Sequence, residues 1–131
     1  MELLCTTCSK RKRRTPGHLP ARDRYLSKRI RYVLDLAERS GQPAAILSGR
    51  FGLLAPDDRV PWYDLALTAD DVDPLVPQLV EQLHSRCVTA VLFYARPRST
   101  AGWEPYHDAL ERACRRLGIG LEVRLLDASL P

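Results

Sequence analysis

The sequence predicts an α/β domain of three layers: a mostly parallel sheet of about four strands with helices on both faces. Three observations carry this. Four short apolar runs have strand character, three longer segments repeat apolar residues at helical spacing, and the two kinds alternate along the chain. Alternation of this sort implies parallel strands joined by right-handed crossovers, which puts the carboxyl ends of the strands on one edge.

The first strand is expected at Leu3–Thr7. A helix then spans Ala21–Arg39, with Tyr25, Ile30, Val33, Leu34 and Ala37 near one face and Gly41 past its end. Ala44–Ser48 follows the Ser-Gly-Gln-Pro stop and forms the second strand. A helix capped by Asp70 or Asp71 runs to about Arg86 on the stripe Val72, Leu75, Val76, Leu79, Val80 and Leu83. Pro77 is awkward in it and blurs its start. Val88–Ala95, rich in β-branched and aromatic residues, is the clearest strand. A helix from Trp103 to Leu117 precedes the last strand, Leu121–Leu126, whose Glu122 and Arg124 mark it as an edge.

With 131 residues, one domain (1–131) is expected, and 45% hydrophobic against 27% charged residues is the balance of a globular protein. No apolar stretch has membrane-spanning length, and the first residues lack the pattern of a secretory signal, so a cytoplasmic protein with no membrane partner is expected. The net charge of +4 is unevenly spread. Lys10-Arg11-Lys12-Arg13-Arg14 is unbroken, and ten cations lie between residues 10 and 31. Such a field suits phosphate or nucleic acid, although a solvated surface accounts for it nearly as well.

Four cysteines stand at 5, 8, 87 and 114. The Cys5-x-x-Cys8 spacing invites a redox or zinc reading. In a strand, however, residues three apart point to opposite faces, and Cys87, Cys114 and His18 offer no matching ligand spacing. Reduced thiols and no metal site are expected. Cys8 stands at a strand tip among cations, the setting in which thiols act as nucleophiles. His107, on the last helix, could reach the loop edge as an acid or base, but a lone helical histidine is more often a surface residue, and that is the expectation.

Ligand sites in open sheets form where strands end. The tips Cys8-Ser9-Lys10, Ser48-Gly49-Arg50 and Tyr94-Ala95-Arg96 are therefore predicted to converge. Gly49 and Gly52 permit close backbone approach, Ser9 and Ser48 supply hydroxyls, and Lys12 and Arg50 supply cationic donors. Tyr63 offers a ring for a base, and Asp64 an acceptor or general base. Arg22 is evenly balanced between an exposed ion pair and this site.

Four motifs in order carry a resemblance: Cys8-Ser9-x-x-Lys12, Pro20-Ala21-Arg22-Asp23-x-Tyr25-x-Ser27, Ile46-Leu47-Ser48-x-x-x-Gly52-Leu53-x-x-Pro56, and Tyr63-Asp64. Over residues 3–67 the chain resembles a family of small bacterial and phage domains. These are similar in turn to the YaaA peroxide-stress proteins and to a domain of archaeosine synthase. The chain departs from archaeosine synthase at Arg13-Arg14, where that enzyme has Pro-Tyr, and at Ile30, where a His would follow Ser27. The resemblance implies a site that includes Cys8, Ser9, Lys12, Ser27 and Ser48, and leaves the reaction open.

Two functions follow. One is an enzyme or binding domain for a nucleotide, nucleoside or modified nucleobase, free or within nucleic acid, with Cys8 or Lys12 as nucleophile and Asp64 as base. The other is a non-catalytic nucleic-acid-binding stress protein that uses Lys10–Arg14. A thiol sensor built on Cys5 and Cys8 is a third, weaker option. No residue pattern names a cofactor.

Overall fold

The structure, a computed structural model, describes residues 1–131. In chain order the elements are β1 (Glu2–Thr7), β2 (Leu19–Pro20), α1 (Ala21–Arg24), α2 (Lys28–Ser40), β3 (Ala44–Ser48), β4 (Gly52–Leu54), β5 (Arg59–Val60), α3 (Val72–Ser85), β6 (Ala90–Ala95), α4 (Glu104–Leu117) and β7 (Gly120–Leu125). A 3₁₀ turn, Ala69–Asp71, leads into α3.

The five strands of the main sheet run in the order β4-β3-β1-β6-β7. All but β4 are parallel. The chain leaves β1 toward β3 on one side and then returns to β6 and β7 on the other. Right-handed crossovers in opposite directions must lie on opposite faces, and this produces the three layers. On one face Leu4, Leu92 and Tyr94 pack on Val33 and Ala37 of α2. On the other, Leu3, Cys5, Leu47, Val91 and Phe93 form the larger core with Leu75, Leu79 and Leu83 of α3 and Leu110 of α4. The strand-like runs are apolar at successive positions because both faces are covered. No helix is long and apolar enough to cross a membrane.

Two departures from the sequence reading have local causes. The helix expected over Ala21–Arg39 is broken. Tyr25 is extended (φ −88°, ψ 128°), and α2 restarts behind Ser27, whose Oγ accepts the Ile30 N–H at 3.2 Å. The break occurs because the basic loop pairs with it: Arg13 N donates to Arg24 O at 2.7 Å and Leu26 N to Arg11 O at 3.0 Å.

The second departure is the extra strand. After β3 the chain does not open into a loop; it turns through Gly49–Phe51 and comes back as β4, antiparallel to β3. Ser48 Oγ accepts the N–H groups of Arg50 and Phe51 at 3.2 and 3.1 Å and closes that turn. Gly52 has φ +71°, and a Cβ there would stand 2.3 Å from Gln82 Oε1. That oxygen accepts the Leu53 N–H at 2.7 Å while Gln82 Nε2 donates to Phe51 O, so α3 grips the hairpin by its backbone.

Gly52→Ala is accordingly expected to lower unfolding stability by about 1–3 kcal/mol in urea titrations, from the left-handed backbone and the displaced glutamine. Gln82→Ala should cost about 1–3 kcal/mol through the orphaned Leu53 amide. The double variant should lose less than the sum, since both changes break one contact.

Candidate functional site

In a sheet of this order the crossovers diverge between β1 and β6, because the loop after β1 leads to α2 on one face and the loop after β6 to α4 on the other. Open α/β sheets hold their ligands at such a switch point. A cavity of about 760 Å³ lies there. Its walls are Thr7–Lys12 after β1, Leu26–Arg29 at the start of α2, Asp64–Leu67, Ala101–Trp103 with Tyr106, and Ala128, Ser129 and Pro131 of the C-terminal segment.

The charged residues of this cavity are its most unusual feature. Arg29 is 3% exposed and Lys12 9%. Neither takes part in an ion pair; every ion pair in the molecule joins exposed side chains. Arg29 is held by one hydroxyl and by main-chain oxygens, with no Asp or Glu side chain among its partners. Its Nη1 donates to Thr6 Oγ1 and Thr7 O, both at 2.7 Å, its Nη2 to Cys8 O at 3.5 Å, and its Nε to Pro131 O at 3.0 Å. The guanidinium carbon lies 4.8 Å from the centre of the Trp103 ring. Burial pulls its pKa down to about 10, which leaves it charged at neutral pH.

Lys12 Nζ has a single long bond, 3.4 Å to Lys10 O. It stands 4.6 Å from the centre of the Tyr63 ring and 5.9 Å from that of Tyr25. Burial lowers its pKa, against the opposing pull of Cys8 and Asp64. Burying a charge costs several kcal/mol unless a counter-charge is supplied. No Asp or Glu side chain forms an ion pair with either cation, and the one carboxylate whose charge Lys12 feels is that of Asp64.

Cys8, also buried, has its Sγ 3.5 Å from Tyr106 Oη. Burial, and secondarily Cys8, pushes the Tyr106 phenol well above its ordinary range, so it stays a neutral hydroxyl. Behind the cavity runs a hydroxyl chain. Tyr25 Oη and Tyr63 Oη are 2.5 Å apart, and Tyr63 Oη is 2.8 Å from Ser48 Oγ. Burial raises Tyr25 to about 12 and Tyr63 further. The Tyr63 ring is the floor on which Lys12 rests.

Of the residues singled out in the sequence, Cys8, Ser9, Lys12, Ser27 and Asp64 come together around the cavity. Ser9 Oγ donates to Arg11 O at 2.6 Å and shapes the rim. Asp64 is exposed at the mouth. Ser48, Gly49, Gly52 and Tyr63 stand behind it as parts of the hairpin and its support. Arg50 lies over Phe51, 5.4 Å from the ring centre. Arg22 pairs with Asp57 at 2.9 Å on the surface.

His107 is a correction. It is 5% exposed, with Nε2 2.9 Å from Arg96 O and its ring against Phe93. A helix lying on a sheet buries whichever residues face it, and this one holds the loop after β6.

Arg29, the most connected cavity residue, was concealed among the surface cations of its segment. The available signal was its phase: positions 29, 33 and 37 share a helical face, and Val33 and Ala37 are buried on it. A charge on an apolar stripe marks a buried cation.

Fold and site together define a three-layer α/β domain with a cation-lined cavity at the switch point of its sheet. Residues 3–126 match the family of unknown function DUF6884, and the chain belongs to that family. No curated protein and no solved structure matches the chain, and the likeness to the YaaA proteins and archaeosine synthase finds no support in these comparisons.

All four thiols are free, and no three His, Cys, Asp or Glu side chains gather to hold a metal. Cys5 and Cys8 sit in separate apolar clusters. Timed alkylation read by peptide mass spectrometry should modify the exposed Cys87 first and Cys8 next, through the cavity. Cys5 and Cys114, whose pKa burial raises (Cys114 to about 11), should react only on unfolding. Mild peroxide should leave no Cys5–Cys8 disulfide.

Proposed function

We propose that this protein binds a nucleotide, nucleoside or modified nucleobase, free or within nucleic acid, in the cavity between β1 and β6 and acts on it there. The observation that carries this reading is the pair of buried cations, Lys12 and Arg29, that line one cavity without an Asp or Glu side chain in ion-pair contact. An anionic ligand group is the counter-charge that offsets their burial. The cavity volume falls in the range of small-molecule sites. Trp103 and Tyr106 give it aromatic surface for a base, and Asp64 at the mouth accepts from a sugar or base edge. Within this reading Cys8 is the nucleophile. Tyr106, a neutral hydroxyl beside it, donates to charge that develops during the reaction, and Asp64 is the base.

A second reading has its own observation. The Arg14 guanidinium lies 5.1 Å from the centre of the Trp62 ring, and Trp62 is 43% exposed within the basic loop region. An aromatic platform among cations suits single-stranded nucleic acid without chemistry. A stress-response or DNA-binding role belongs with this reading.

A panel of nucleotides, nucleosides and 7-deazapurines separates them. Under the first reading at least one member raises the melting temperature by mass action. Lys12→Ala should then weaken binding about 10–100-fold, the worth of one charge-assisted hydrogen bond. Ser48→Ala should lower the starting melting temperature while preserving the ligand-induced shift. No shift with any compound defeats the reading. Binding only to polynucleotide, falling steeply with salt and lost when Lys10–Arg14 become serine, favours the second.

Affinity should also weaken as pH rises through the Lys12 pKa. Because burial lowers that pKa, the loss should begin below the ordinary lysine value of 10.5. Titration of binding against pH checks this.

A further inference from the structure

The strand β7 closes one side of the sheet, and nothing covers its outer edge. Its sequence, Gly-Leu-Glu-Val-Arg-Leu, has no Pro, no Lys and no bulge in its register with β6, and its two charges, Glu122 and Arg124, are of opposite sign and so do not repel a second copy. Val123 and Leu125 are 41% and 63% exposed. By contrast, the opposite edge, β4, is three residues long and gripped by Gln82.

The hydrogen bonds of β7 state which amides are free. Gly120 N donates inward to Thr89 O and Leu126 N to Ala95 O. These residues share one parity, and along a strand the direction of the N–H and C=O groups alternates. Residues 120, 122, 124 and 126 therefore face β6, while Leu121, Val123 and Leu125 direct both backbone groups to the outside.

We propose that β7 pairs antiparallel with β7 of a second copy of this chain, about a two-fold axis through Val123. The parity and the side chains select this register. Val123 meets Val123 of the copy, and Leu121 meets Leu125, each as a hydrogen-bonded pair built from the outward amides. Glu122 then falls opposite Arg124 of the copy at the non-hydrogen-bonded positions, where side chains are closest. Both charges are matched twice over by symmetry. A two-fold axis at Glu122 or Arg124 would still pair the outward amides, but it would set Glu122 against Glu122 or Arg124 against Arg124 at the close non-hydrogen-bonded position. One at Leu121 would set Glu122 opposite Gly120, and one at Leu125 would set Arg124 opposite Leu126.

The side chains of Leu121, Val123 and Leu125 from both copies then form one apolar strip on the face that carries α4. The two sheets become one continuous sheet of five strands from each copy. Because the paired strands run in opposite directions, the two cavities open at opposite ends of the assembly.

Sedimentation equilibrium over a range of micromolar concentrations tests this, with a dimer at twice 14.8 kDa expected. Val123→Pro removes an outward amide that makes no bond within the chain. It should give a monomer with an unchanged circular dichroism spectrum. Glu122→Arg or Arg124→Glu alone should raise the dimer dissociation constant at least tenfold, and the double reversal should restore it. A wild-type monomer at every concentration would overturn the proposal. So would a dimer that survives Val123→Pro, or a double reversal that fails to recover association. If Val123→Pro unfolds, the charge-reversal set alone decides.

Discussion

The architecture around the cavity depends on how one guanidinium is satisfied. Arg29 sits at the first turn of α2, yet its donors reach the last two residues of β1, the first residue beyond it, and the C-terminal segment, while its flat face lies on Trp103 from the loop before α4. Three separate segments are thereby fixed relative to the central strand by a side chain of five donors in a rigid fork. Thr6 extends the arrangement, since its hydroxyl accepts from Arg29 and donates to Tyr94 O at 2.8 Å. A lysine at position 29 would supply charge without this geometry. The same group that organises the walls also brings to the cavity a positive charge with which no Asp or Glu side chain pairs.

The hydroxyl chain Tyr25–Tyr63–Ser48 serves the second cation in the same manner. It locks the ring of Tyr63 from behind, and the ring's face then supports Lys12. Such a stack lets an ammonium group remain under little solvent without an acid in ion-pair contact. Ser48 thus acts through Tyr63, at one remove from the cavity. A hairpin turn and a cation cradle share one serine.

How much of this was legible follows from which forces are local. The helices and parallel strands, and the convergence of Cys8, Ser9, Lys12 and Asp64 on one cavity at the ends of the strands, rest on short-range pattern and on the handedness of crossovers, whereas Ser27 entered through the family resemblance. The Ser48–Pro56 segment read as a ligand loop because Ser, Gly and Arg after an apolar run look alike whether they face a ligand or begin a tight turn. What decides is Gln82, thirty residues away, whose amide captures the returning strand. Arg29 and His107 were obscured for a related reason. A charged or titratable side chain reads as surface until its carbonyl partners are known, and Thr7, Cys8 and Arg96 become partners only once the sheet is assembled.

The loop that carries the unbroken cation run is itself held from within. Arg24 is fully buried and donates to the carbonyls of Arg13, Thr15, Gly17 and Val60, and the loop backbone is paired to residues 24–26. Its charges are therefore displayed at set spacings by a stiff support, and meeting a polyanion costs it little ordering entropy. The same stiffness bears on proteolysis. Five consecutive cleavage positions for a trypsin-like protease lie at Lys10–Arg14, yet cutting requires a segment to detach and extend into the protease cleft. Here that means releasing Arg24 from four carbonyls, so the densest run of basic residues in the chain is protected by a basic residue beneath it.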